Sequence, residues 1–322
     1  MRYDAFKNYY LKNKMMDDFD QAALFLQFQE KTFGDLDDIS KDKIDLIIEN
    51  MVEHQTNDYK HFLILMRYYK IIGHDDIYIY LTQFTGMYEV IDTIIKRLKS
   101  CISKDKVEKI LDGYDLPYLG QRPKDLPQYT NELMERLHHH LSDKDVEKVL
   151  TGNNHQLSKS SQMSEKLAYE EADSFEAYLK ERHQRKVDVL KKHMEDNEIW
   201  FEQRITPDVI DFVKSNQEIL SGVIEGNQLM ITKIPYDTPK YLNAKTPQDK
   251  QYYACHCPLA RESILEGKKV SDQFCYCSAG FAKFPFEVIL DQKLSIKVLE
   301  SALAGDERCR FAIDLEGVQY IQ

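Results

Sequence analysis

The chain is short of the residues that break regular structure: 322 residues contain only twelve glycines and nine prolines. That excludes a collagen-like, low-complexity or loop-dominated polypeptide. No apolar run approaches the roughly 20 residues that a membrane helix requires. The opening Met1-Arg2-Tyr3-Asp4-Ala5-Phe6 lacks the apolar segment of a signal peptide. A cytoplasmic location is therefore expected, where thiols stay reduced and structural disulfides are rare. Basic excess is missing as well. The formal net charge of -11 argues against non-specific binding to nucleic acid or to an anionic membrane. The partners expected are a small-molecule ligand or a second copy of the chain, meeting it through the helical half.

What is present is ordinary for a soluble globular protein: 43% hydrophobic and 30% charged residues, with a mean hydropathy of -0.53. The length predicts two or three domains. The six cysteines are unevenly placed. Cys101 stands alone, whereas Cys255-His256-Cys257, Cys275-Tyr276-Cys277 and Cys309 fall in the last quarter of the chain. Free cysteine commonly behaves as a small buried hydrophobe, but four thiols in two Cys-x-Cys pairs point instead to a metal site, a reactive thiol centre or a redox pair.

The pattern predicts an α+β protein: a helical N-terminal half followed by a mixed α/β ligand-binding domain. Residues 1–83 form a helical module. Ile44, Ile47, Ile48, Met51 and Val52 recur at helical spacing after Ser40, an N-cap residue. A second helix carries Phe62, Leu65, Met66 and Tyr69 and ends near Gly73. This outline resembles the helical core-binding domain of tyrosine recombinases. Its ten Lys/Arg against fifteen Asp/Glu oppose DNA contact, so a dimerisation or docking module is the better reading.

Residues 84–155 hold an internal repeat. Arg97-Leu98, then Ile102-Ser103-Lys104-Asp105-Lys106-Val107 to Gly113, is echoed 39 residues later by Arg136-Leu137, then Leu141-Ser142-Asp143-Lys144-Asp145-Val146 to Gly152. Each copy predicts an amphipathic helix, a serine cap, a shorter helix and a terminal glycine. Within it, His138-His139-His140 cannot ligate one ion, because each helical step turns the side chain by about 100°. Residues 156–200 are expected to be a connecting region with one long helix over 165–194. A domain boundary is expected between about 155 and 200, and residues 201–322 form the α/β domain. In it, Thr206-Pro207-Asp208 opens a helix reaching Leu220, and Gly226-Asn227 turns into a strand from Leu229 to Ile234. Further strands span 294–300 and 308–315.

From Cys275-Tyr276-Cys277-Ser278-Ala279-Gly280-Phe281 through Val298-Leu299-Glu300 to Gly305-Asp306-Glu307-Arg308-Cys309-Arg310-Phe311, the chain resembles the 4-vinyl reductase-type small-molecule-binding domain. It is also similar to the 2-amino-thiazoline-4-carboxylate hydrolase-like family. The first resemblance implies a structural zinc held by cysteines and a glutamate, with Glu300 and Cys309 at the matching positions. Leu303 stands where that family can have a further cysteine, and Cys275 and Cys277 would make up the shortfall. Three thiolates and a carboxylate are an acceptable tetrahedral zinc set.

That assignment leaves Cys255, His256, Cys257 and Arg261 for chemistry. A cysteine beside a histidine can be activated as a thiolate, and an arginine one turn on can bind a carboxylate. Lys233, Tyr236, Tyr253 and Lys283 are further polar candidates. Three readings stand together: a thiol- or metal-dependent hydrolase of a small carboxylate compound, a ligand sensor without chemistry, and an iron–sulfur or redox protein using the same cysteines.

Overall fold

The structure is a computed structural model that describes residues 2–86, 88–267 and 270–322. Its fold is α+β, with helices filling the N-terminal half and two small sheets in the C-terminal half. The chain divides into two compact units, residues 1–88 with 117–123, and residues 89–116 with 124–322.

The first unit is built from α1 (Tyr3–Lys12), α2 (Phe19–Phe33), α3 (Lys41–Glu53), α4 (Tyr59–Ile72) and α5 (Asp75–Thr85). Ser40 caps α3 by accepting from the Lys43 amide, and Gly73 ends α4 in the left-handed region at φ 78°. Ile44, Ile47, Ile48 and Met51 from α3 meet Phe62, Leu65, Tyr68 and Tyr69 from α4 in one aromatic-rich core. Residues 117–123 belong to this unit: Asn57 Nδ2 donates to the Leu119 carbonyl at 2.8 Å.

The second unit begins with the repeat, as α6 (Val90–Cys101), α7 (Lys104–Leu111), α8 (Leu126–His140) and α9 (Asp143–Leu150). The two copies are joined reciprocally. Arg97 of the first copy donates to the Val149 and Lys148 carbonyls at the end of α9, at 2.9 and 2.8 Å. Arg136 of the second copy donates to the Ile110 and Gly113 carbonyls at the end of α7, at 3.1 and 3.3 Å. Each arginine thus satisfies carbonyls that its partner's short helix leaves unpaired, and sets positive charge against the helix C-terminus. Gly152 admits this arrangement, because a Cβ there would lie 2.1 Å from Arg97 Nε.

Next come α10 (Met163–Glu170) and α11 (Phe175–Glu195). The single long helix expected over 165–194 is in fact broken at Glu171–Ser174, because Ser174 caps α11 by accepting from the Ala177 amide. A short hairpin, β1 (Ile199–Trp200) with β2 (Gln203–Arg204), leads to α12 (Pro207–Lys214). Thr206 caps α12 as expected, but the helix stops well short of Leu220.

The main sheet takes the order β3 (Val223–Glu225), β4 (Gln228–Thr232), β6 (Arg310–Asp314), β5 (Ser295–Glu300), all neighbours antiparallel. Gly226-Asn227 forms the two-residue turn between β3 and β4, with Gly226 at φ 59°, the conformation that tight hairpins demand. Between β4 and β5 lie α13 (Thr238–Asn243), α14 (Pro247–Ala254), α15 (Glu262–Glu266) and α16 (Tyr276–Ile289). Helix α16 lies across β5 and β6 on one side and meets α9 on another. Leu229, Ile231, Ile296, Phe311 and Ile313 form the face of the sheet that joins the core with α16.

The two units do not part between 155 and 200; they part near residue 84, where the repeat is expected to begin. The chain divides at Tyr88 and Glu89, and the repeat belongs with the C-terminal sheet. Gly280 on α16 explains this. A Cβ there would lie 2.3 Å from the Gly152 carbonyl oxygen, so α16 rests directly on the backbone that ends α9.

Two predictions follow from these contacts. Arg97→Ala should cost about 2 kcal/mol in urea unfolding, the worth of charge-assisted bonds to backbone carbonyls. Gly152→Ala should cost a similar amount by displacing the same guanidinium, and the double variant should be no worse than either alone. Additive losses would show that the glycine serves something other than the arginine. Gly280→Ala meets rigid backbone and should cost about 3 kcal/mol.

The second concerns Glu165. Burial opposes its charge, but Arg182, Arg185 and Lys186, together with the Tyr178 hydroxyl at 2.9 Å, hold its carboxyl down at about 2. A depressed folded value means stability that is complete above the unfolded value of 4.5 and is lost as pH falls from there towards 2. The contribution is at most ~3 kcal/mol. Glu165→Gln should therefore flatten the pH dependence of unfolding across that window, and an unchanged acid limb would refute the assignment.

Candidate functional site

The end of α14 delivers Cys255 and Cys257, and α16 begins at Tyr276 between Cys275 and Cys277. Cys309 sits just before β6. Its carbonyl accepts from the Lys233 amide at 3.0 Å, which places the residue after β4 beside it. All six cysteines are free thiols. Cys255, Cys277 and Cys309 are buried, Cys257 and Cys275 half-buried.

Burial pushes every thiol of this group up, and neighbouring groups add smaller influences. Cys275 lies well above the usual range through burial first, then through Cys309, Cys255 and Cys257. Cys257 is likewise well above, through burial and then Cys255 and Cys277. Cys255 is pushed up to about 11 by burial with Cys309 adding to it. Smaller influences at Cys275 come from Cys309, Cys255 and Cys257, and at Cys257 from Cys255 and Cys277. Burial puts Cys277 at about 11, and it meets Asn154 Nδ2 at 3.6 Å and His155 Nε2 at 3.8 Å.

Two cations belong to residues joined to the cysteine segments by backbone, the Lys233 amide donating to the Cys309 carbonyl at 3.0 Å and the Arg261 amide to the Cys257 carbonyl at 2.8 Å. Lys233 Nζ donates to Ser278 Oγ at 3.1 Å and lies 5.3 Å from the Phe281 ring centroid. It opposes the upward shift at Cys255, Cys257, Cys277 and Cys309 alike. Arg261 is 1% exposed and stacks 3.9 Å from the Tyr236 ring centroid and 5.2 Å from that of Tyr252. Its Nε and Nη1 have no hydrogen-bond acceptor. Glu262 Oε1, 3.6 Å from Arg261 Nε, already accepts from the Tyr252 hydroxyl at 2.8 Å.

The structure separates Glu300 from this group. Strand alternation alone would put Glu300 on the face of Val298, towards the core. A bulge between Val298 and Glu300 adds a residue and brings Glu300 opposite Arg310 instead, on the other face of the sheet. There both carboxylate oxygens accept from Arg308, at 2.8 and 2.7 Å. Arg310 is engaged in the same way by Glu218, at 2.9 and 2.6 Å. The expected set of Cys275, Cys277, Glu300 and Cys309 is therefore not assembled.

The second expected group, Cys255, His256, Cys257 and Arg261, is assembled but not activated. Burial and Lys233 push His256 down to about 3, and its Nε2 donates to the Ile234 carbonyl at 2.6 Å. A neutral imidazole engaged by backbone offers no imidazolium to stabilise a neighbouring thiolate. Lys283 is paired with Glu287 at 3.0 Å, and Tyr253 supplies a carbonyl to the Asp237 amide, so both serve the scaffold. Asn154 and His155 were not legible as site residues, because they trail the repeat 122 positions before their partner. Among the described residues, no three His, Cys, Asp or Glu side chains stand close enough together to hold a metal ion as placed.

A family profile described as "Family of unknown function (DUF6144)" matches residues 245–319, a span that contains all five clustered cysteines, His256 and Arg261. No curated protein and no solved structure matches the chain. Among the described residues, no helix is long and apolar enough to cross a membrane.

Burial gives a direct test of this arrangement. In the folded protein, iodoacetamide should label Cys101 at least about tenfold faster than Cys255 or Cys277, since reactivity requires an accessible thiolate. Denaturation should equalise the rates. Equal labelling in the folded state would mean that the thiol group is open to solvent.

Proposed function

We propose that the C-terminal half is a zinc-binding module whose ligands are Cys255, Cys257, Cys275 and Cys309. What supports this reading is that Cys255, Cys257 and Cys309 share one buried cluster with Tyr276, the residue after Cys275, so that four thiols from three separate segments lie in one region. Thiolate is the ligand type that zinc and iron–sulfur clusters select, and four thiolates make a closed, structural zinc site. The donor chemistry fits, while the placement requires the sulfurs to close further on the ion. Zinc there supplies a cross-link between the end of α14, the start of α16 and the turn before β6. The protein's own residues do the rest: Ile234 and Cys309 fix the chain beside the thiols through backbone bonds, and Arg261 holds its charge between two tyrosine rings.

This reading places no chemistry on Cys255-His256-Cys257, so it favours a binding or scaffolding role over a thiol hydrolase. Any small-molecule ligand of the C-terminal half would be bound by the folded domain that the metal completes.

Full-length protein purified anaerobically should contain about one zinc per chain by elemental analysis, as one tetrathiolate site requires. Serine at Cys255, Cys257, Cys275 or Cys309 should abolish that stoichiometry, whereas Cys277→Ser, Cys101→Ser and Glu300→Gln should retain it. Well-folded, metal-free protein whose thiols all titrate would overturn the reading. Iron with visible absorbance would assign the same ligands to an iron–sulfur cluster.

A further inference from the structure

We infer that a pocket in the first unit, between α2 and the chain from the end of α3 to the first turn of α4, binds a small planar aromatic molecule with a hydrogen-bond donor on its edge. The site involves none of the thiols and is independent of the metal-binding reading.

On α2 the amphipathic pattern is inverted. Ala22, Phe25 and Leu26 form the buried stripe, and the next helical position on it is Gln29. A carboxamide thus stands where the spacing calls for an apolar residue. Gln29 is 1% exposed, and its Oε1 has no hydrogen-bond partner among the described residues. Beside it, Leu24 and Phe28, one turn apart on the same helix, are 66% and 47% exposed. A buried polar group without a partner costs stability, and so do large apolar side chains left in water. Where both occur at one place, a ligand can supply what the fold leaves out.

Gln29, Leu24 and Phe28 line one pocket of about 510 Å³ together with Phe25, His54 and His61. That volume lies within the roughly 300–1,000 Å³ of small-molecule sites. Four of its walls are rings. Phe25 meets His61 with centroids 4.6 Å apart, and Phe28 meets His54 at 6.2 Å, both pairs inclined. Rings offered edge and face in this way suit a flat aromatic guest. The polar groups decide which edge the guest must present. His54 Nδ1 lies 2.9 Å from the Asn50 carbonyl, which can only accept, so Nδ1 carries the proton and Nε2 of the neutral ring is an acceptor. Gln29 Oε1 is an acceptor as well. The complement is an N–H or O–H donor, and an anionic guest would meet lone pairs.

Indole is the probe, and indene is its counterpart of the same shape without the N–H. Titration of the full chain by ligand-observed NMR should show indole bound at least about tenfold more tightly, because the donor-free analogue leaves Gln29 unpaired. Gln29→Met keeps the side-chain length and removes the carboxamide. It should cancel the preference and move urea unfolding to higher concentration, since the orphan group is gone. Leu24→Asp, on the exposed rim, should weaken both probes about tenfold or more with an unchanged circular dichroism spectrum. Should Gln29→Met fail to fold, the wild-type preference and its loss in Leu24→Asp still decide. Absence of indole binding, equal binding of indole and indene, or binding unaffected by Leu24→Asp would each overturn the inference. A wild-type dimer in sedimentation that Leu24→Asp splits would also overturn it, by showing that a second copy covers this face.

Discussion

The second unit depends on a contact between two glycines. The backbone at Gly152, where the repeat ends, lies so close to Gly280 on α16 that a single added Cβ would sit 2.3 Å from a carbonyl oxygen. Interiors at native density do not absorb such an intrusion cheaply. Because α16 is held at this depth, its first turn brings Cys277 to Asn154 and His155, residues that follow α9 directly. The same glycine backbone leaves room for Arg97, which ties the first copy of the repeat to the end of the second. One steric constraint thus links the repeat, the helix that carries two cysteines and the sheet beneath it. That is why the repeat is part of the C-terminal unit instead of a separate domain.

Charge is distributed over the two faces of the sheet according to strand alternation and its single interruption. On the face away from α16, Glu300 is opposed to Arg310, and the carboxylates of Glu300 and Glu218 answer the guanidiniums of Arg308 and Arg310. On the core side, thiols stand with Lys233 and Arg261. The bulge after Val298 decides which set Glu300 joins. Without it, a carboxylate would face the core.

Much of the local structure was legible in the sequence because it is encoded locally. Ser40, Thr206-Pro207 and Gly226-Asn227 each specify a cap or turn through a hydrogen bond or a backbone conformation made within a few residues. The repeat was visible because both copies use the same residue types at the same spacing. Ser174 carried an equally local signal, inside the stretch read as one helix over 165–194.

Tertiary relations left no such trace. A bulge has no side-chain signature at Leu299, so the resemblance that offered Glu300 as a zinc ligand carried no sign of the face it takes. The union of the repeat with the C-terminal sheet follows from glycines that meet only after folding. Lys233 could be named as a polar neighbour, but its place among the thiols depends on the β4–β6 register. The thiol group itself shows what such non-local assembly implies. Its cysteines come from segments separated by up to 54 positions, and in an unfolded chain bringing their ends together carries a loop-closure cost. An ion that binds the gathered thiols and not the scattered ones stabilises the folded state by mass action.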